Sequence, residues 1–288
     1  MSFVSRIDKL CFRGLEFYLK RDDLLSEFGG KARKLSFHLA QNYPQNQHFV
    51  SYGGLQSNAL AALSLFSKKR NFRLSYAFER SSTFLEKNPR GNYALALANG
   101  TKFIKKPQNF PSLQDFALSL CAKGDILIPQ GLATQDAAQG YQELTRELED
   151  QSRAMGVDFD IFLPSGTGTA AAFLAKYSKF RVFTCACIGG SAYLRAQISS
   201  LEPDYDFSNL HILEPPKKYH FAKPYAEFYA LYEAIRRECR VEFDLLYDMP
   251  GLRTLLHHRA KLGRILYLHQ GGLSGNETML ERYLAHNL

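Results

Sequence analysis

Phe159-Asp160-Ile161-Phe162-Leu163-Pro164-Ser165-Gly166-Thr167-Gly168-Thr169-Ala170-Ala171 is the stretch whose reading decides the fold. Four of its first five residues are β-branched, aromatic or aliphatic and predict a buried strand from Phe159 to Leu163. Gly and small hydroxyl residues then end the strand, and the alanines that follow favour a helix. The same strand, loop and helix sequence recurs along the chain. Expected strands are Glu16 to Leu19, His48 to Tyr52, Arg73 to Phe78, Lys102 to Lys105, Ile126 to Ile128, Arg181 to Cys185, His211 to Leu213, Phe243 to Leu246 and Ile265 to Leu268. Most are separated by helical spacing; Phe228, Leu231, Tyr232, Ile235 and Cys239, for example, form one stripe. Regular alternation of this kind implies right-handed crossovers and an α/β fold with mainly parallel sheets. About ten such units exceed one comfortable sheet, so two open, twisted sheets flanked by helices, in two domains sharing a cleft, are expected.

In open parallel sheets ligands bind beyond the carboxyl ends of the strands. The Ser165–Thr169 loop suits a phosphate, because hydroxyls, backbone N–H groups and a helix N-terminus converge there. Its spacing also matches a dinucleotide loop. The acid that would hold a ribose about 20 residues on is absent, however, since that region reads Cys185-Ala186-Cys187-Ile188-Gly189-Gly190. A second junction, Gly53-Gly54-Leu55-Gln56-Ser57-Asn58, offers either polar groups for a ligand or simple helix capping. Lys31 follows Phe28-Gly29-Gly30 at an expected helix start, where a cation is electrostatically disfavoured. That placement raises the alternative of a Schiff-base lysine beside a structural one.

Composition narrows the classes. The 288 residues are 45% hydrophobic and 22% charged, which excludes disorder and fibrous repeats. No apolar run approaches the roughly 18 residues of a membrane span. The start, Met1-Ser2-Phe3-Val4-Ser5-Arg6, lacks a secretory pattern, so a cytoplasmic protein is expected. Five cysteines lack paired metal-ligand spacing and read as free thiols, with no metal site. Thirty-six basic against 28 acidic residues give +8, spread in short groups without a nucleic-acid-binding motif.

Taken together, these segments resemble the pyridoxal-phosphate enzymes of the tryptophan-synthase-β fold, in the branch of D-cysteine desulfhydrase and 1-aminocyclopropane-1-carboxylate deaminase. The likeness rests on Lys20-Arg21-Asp22-Asp23, Phe28-Gly29-Gly30-Lys31-Ala32-Arg33-Lys34-Leu35 and Ser51-Tyr52-Gly53-Gly54-Leu55-Gln56-Ser57-Asn58. Gly91-Asn92, Pro129-Gln130-Gly131, Gly140-Tyr141, Thr167-Gly168-Thr169 and His269-Gln270-Gly271-Gly272 follow in the family's order. The resemblance implies a smaller domain over 34–133 and a larger one from 1–33 plus 134–288. It implies a homodimer, pyridoxal 5'-phosphate as cofactor and a small amino acid as substrate. Lys31 would carry the cofactor, Asn58 would bond its ring hydroxyl, and Ser165, Gly166, Thr167, Gly168 and Thr169 would hold its phosphate. Asp248 would meet the pyridine nitrogen from a late strand end, Ser57 and Tyr247 would serve in catalysis, and Gln56, Ser57 and Gln270 would face the substrate.

Four departures bear on substrate. The family's Asn before the lysine is missing, and its Gly-Lys after the Tyr-acid pair is Met249-Pro250. Deaminases of the family resemble one another in having Glu at position 248 and Leu at position 270, desulfhydrases in having Thr at both. Here these are Asp248 and Gln270. The expected reaction is elimination from D-cysteine or a similar amino acid. Aminocyclopropane deamination, a nucleotide-dependent oxidoreductase and a non-catalytic binder are the competing readings.

Overall fold

A computed structural model describes residues 3–287; Met1 and Ser2, part of the start read for a leader, and Leu288 lie outside them. The chain divides into two compact units, Met1–Ser36 with Gln135–Leu288, and Phe37–Thr134.

The larger unit opens with β1 (Ile7–Phe12) and β2 (Leu15–Lys20), an antiparallel hairpin that the sequence reading missed in its first strand. Its two-residue turn places Arg13 at φ 50° and Gly14 at φ 74°, the twin positive values that match the twist of paired strands. After α1 (Lys31–Ala40) the chain builds the smaller unit from β3 (His48–Tyr52), α2 (Asn58–Lys69), β4 (Arg73–Phe78), α3 (Thr83–Lys87), α4 (Gly91–Ala98), β5 (Lys102–Lys105), α5 (Leu113–Ser119) and β6 (Ile126–Ile128). It then returns through α6 (Ala138–Met155), β7 (Asp160–Ser165), α7 (Thr169–Tyr177), β8 (Val182–Ala186), α8 (Gly190–Leu201), β9 (Leu210–Ile212), α9 (Ala226–Cys239), α10 (Asp248–His258), β10 (Ile265–Leu268) and α11 (Asn276–Ala285).

The larger unit's sheet has the order β1-β2-β10-β7-β8-β9, parallel except at β1. Leu266 pairs with Tyr18 on one side and Ile161 on the other. Strand alternation sends Ile161, Leu163, Leu266 and Leu268 toward Tyr141, Leu144 and Leu148 of α6 and Leu174 of α7. Phe162 and Tyr267 face the opposite side, with Ile235 of α9 and Leu252 and Leu255 of α10. Both faces are covered, so these strands read as continuous apolar runs. In the smaller unit the order is β5-β4-β3-β6, all parallel. Val50 and Tyr52 pack with Phe116, whereas Phe49 meets the Phe66 ring at 5.5 Å.

One expected strand is overturned. Phe243 to Leu246 is a turn leading into α10, because side chains take the N–H groups that a ladder would need. Asp244 Oδ1 accepts from the N–H groups of Leu246 and Tyr247, and Asn276 Oδ1 accepts from Leu245 N–H at 2.8 Å. α10 therefore begins at Asp248, directly after this turn.

Candidate active site

In the larger unit, Lys31 is the first residue of α1, and the backbone around it is tightly held. Gly30 N–H donates to Gln270 O at 3.0 Å, and a Cβ on Gly30 would lie 2.7 Å from that oxygen. Behind Lys31, Arg33 is 1% exposed and bonds both Asp22 oxygens and Glu147. Lys20, also enclosed, pairs with the same Glu147. Charges buried together like this hold geometry more than they add stability. The Lys31 amine is lowered from its ordinary value by burial, which the nearby Asp244 and Asp248 oppose in that order. Lys34, one turn on, is buried as well, and burial followed by repulsion from Lys31 drives its amine well down. The sequence reading gave Lys34 no role, although the three-residue spacing already puts it on Lys31's face.

The Gly-rich loop lies at the carboxyl end of β7. Gly168 takes φ 75° as the residue before α7, so no side chain caps the first N–H groups of that helix. Thr167 and Thr169 hydroxyls bond each other at 2.9 Å, and Ser165 Oγ accepts from Thr184 Oγ1 at 2.8 Å. Gly166 and Thr167 keep partial exposure, whereas Ser165, Gly168 and Thr169 are buried. The need for glycine at 168 has a protein cause: a Cβ there would lie 2.6 Å from Ile198 and 2.8 Å from Leu194.

Contacts bring the other candidates of this unit to the loop. A Cβ on Gly166 would sit 3.2 Å from the Tyr247 ring, which also meets the Phe221 ring at 5.3 Å. Gln270 Nε2 donates to Pro164 O at 3.3 Å, so its amide has a partner. Asp248 opens α10 with both oxygens engaged: Oδ1 accepts from Tyr267 O–H at 2.8 Å, and Oδ2 accepts from Asp244 N–H at 2.9 Å and lies 3.3 Å from His269 Nδ1. Burial works against a charged His269, but Asp248 and Asp23 outweigh it and raise that ring's pKa. Burial and the neighbouring Asp248 push Asp244 up to about 7. Beside Tyr247 a cavity of about 560 Å³ is lined by Cys187, Phe221, Leu245, Leu246 and Met279 among others. All five cysteines are free thiols.

The smaller unit carries the remaining candidates. Ser57 caps α2, its Oγ accepting from Ala59 N–H at 3.2 Å, as the capping alternative expects. Both ends of the Gln56 amide are engaged: Oε1 accepts from Asn92 N–H, and Nε2 donates to Arg90 O, each at 3.0 Å. Asn58 Oδ1 accepts from Asn92 Nδ2 at 2.9 Å, which orients the Asn58 amide. Asn92, quoted above only as part of a pattern, is thus the residue that fixes Asn58.

No family model matches the chain. It is 28% identical over 186 residues to a Pyrococcus furiosus protein that bears the name of a 1-aminocyclopropane-1-carboxylate deaminase provisionally; the match covers 61% of this chain and 54% of that protein, about half its length. It is 24% identical over 294 residues to the mitochondrial bifunctional D-cysteine desulfhydrase/1-aminocyclopropane-1-carboxylate deaminase of Arabidopsis thaliana, covering 91% of this chain and 73% of the relative. Among solved structures, an ACC deaminase homologue superimposes with a TM-score of 0.76 at 21% identity, over 97% of this chain and 94% of that one. The chain therefore has the fold of the type II pyridoxal-phosphate enzymes and resembles in sequence the family of D-cysteine desulfhydrases and 1-aminocyclopropane-1-carboxylate deaminases.

Proposed function

We propose that the protein is a pyridoxal-phosphate-dependent lyase that eliminates a β-substituent from a small amino acid of the D-cysteine type, yielding a keto acid and ammonia. The observation that carries this reading is Lys31: a desolvated amine at a clamped helix start, next to two buried acids, in a chain whose Gly-rich loop leads into an uncapped helix. The residues fit the cofactor. An amine with a lowered pKa attacks a carbonyl more readily. The N-terminus of α7 and the partly exposed Gly166 and Thr167 suit a phosphate. Asp244 Oδ2 is buried without a hydrogen-bond partner among the described residues, which suits a ligand donor.

When bound, the cofactor supplies an electron sink for charge that develops at the substrate's Cα. The chain's own groups do the rest. Lys31 moves the proton at Cα, a role that a lowered pKa favours by leaving more of the amine unprotonated. Tyr247, packed on Gly166, covers one edge of the loop and limits water there. By the motif likeness Asn58, held by Asn92, would be the residue for the ring hydroxyl. The finer assignments of Ser57 and Gln270 to substrate, cytoplasmic residence and a homodimer are parts of the same proposal, supported by the motif likeness and, for residence, by the free thiols.

Elimination needs a removable Cα proton and the sink. Opening an aminocyclopropane ring needs, in addition, a group placed at a ring carbon, for which Ser57 and Tyr247 are the candidates. Keto-acid release from D-cysteine and from aminocyclopropane carboxylate, with added pyridoxal phosphate, tests this. The higher kcat/KM is expected for D-cysteine; the reverse order, or no keto acid from either, contradicts it.

A further inference from the structure

The two acids of the turn at 244–248 stand in different situations. Asp248 spends both oxygens inside the protein, on Tyr267 O–H, on Asp244 N–H and against His269. Asp244 is 1% exposed, and its Oδ1 serves the turn by accepting from Leu246 and Tyr247. Its Oδ2 has no hydrogen-bond partner among the described residues. A buried carboxyl oxygen without a donor is costly, and such groups persist where a ligand completes them.

Position reinforces the contrast. Of the two acids, Asp244 acts more strongly on the Lys31 amine. An Asp at 248 is one methylene shorter than a Glu, and its oxygens remain with the core groups that bind them. We propose that Asp244, through Oδ2, is the acid that meets the ring nitrogen of bound pyridoxal phosphate, while Asp248 belongs to the scaffold that holds Asp244's backbone. This rests on the cofactor reading above. The charged and titratable groups acting on Asp244 are Lys31, Asp248 and Cys187, with His269 and Tyr267 reaching it through Asp248. A carboxyl pushed up to a pKa of about 7 would share a proton with a pyridine nitrogen opposite it, which strengthens the ring as a sink.

The test is the ¹⁵N resonance of ring-labelled pyridoxal phosphate bound to the protein, which separates a protonated from a neutral ring nitrogen. Wild type should show the protonated position, and Asp244→Asn should move it to the neutral one. Asn keeps the Oδ1 acceptor that the turn needs, and thermal unfolding of the unliganded variant checks that the fold survives. Asp248→Asn, and Tyr267→Phe as a milder change to the same cage, should leave the nitrogen protonated. A neutral nitrogen in Asp248→Asn or Tyr267→Phe together with a protonated one in Asp244→Asn would overturn the assignment, as would a neutral nitrogen in wild type. Wild-type protein that fails to bind the cofactor at all would instead refute the proposed function on which the assignment rests.

Discussion

At the scale of single residues, Asp244 gives a pH prediction with a definite sign. Its folded pKa lies near 7 and its unfolded value near 3.8, so between these pH values the folded state binds more protons. Stability from this group is complete below about pH 4 and is lost as pH rises through about 7. Unliganded Asp244→Asn should therefore show a flatter urea-unfolding stability profile from pH 4 to 7 than wild type. Equal slopes would place the titrating proton elsewhere. Sequence reasoning named Lys31, Tyr247, Asp248 and Gln270 as candidates because each sits in a motif. It did not reach Asp244 or Asn92 as actors, because what singles them out is the partner of one oxygen atom, and spacing carries no such information.

At the scale of elements, the start of α1 is held between β10's continuation and α6. Gly140 on α6 would place a Cβ 1.9 Å from Arg33 O, and Gly30 would meet Gln270 O at 2.7 Å. Gly30→Ala should cost about 1 to 3 kcal/mol by overpacking and weaken cofactor binding with it, read by urea unfolding and by the absorbance of added pyridoxal phosphate. Arg33→Ala leaves Asp22 and Glu147 without their buried partner and should cost about 3 to 5 kcal/mol by the same unfolding assay. Gly168→Ala should lose at least about 1 kcal/mol from its left-handed backbone alone. Instability in that variant reports on packing against α8, so it does not isolate phosphate binding. Parallel strands and amphipathic helices were legible because burial on both faces imposes apolar runs, as at Ile161–Leu163. The turn at 243–246 was not: its residues carry strand propensity, and only the capping by Asp244 and Asn276 diverts the backbone.

At the scale of the whole chain, the likeness to known enzymes joins segments from Lys20 to Gly272, and the features it selects in the larger unit share one connected set of contacts. Gly30 abuts Gln270, Gln270 bonds Pro164, Gly166 lies under Tyr247, and Asp248 bonds Tyr267. A chain of unrelated motifs would have no reason to converge in this way. Among the described residues no helix is long and apolar enough to cross a membrane, and no group of three metal-ligating side chains gathers. The claim on which the functional account depends is that Lys31 carries the cofactor. Protein saturated with pyridoxal phosphate, reduced with borohydride, digested and mapped by mass spectrometry should place the pyridoxyl group on Lys31. Finding it instead on Lys34, Lys20 or a surface lysine, with Lys31 unmodified, would contradict the account.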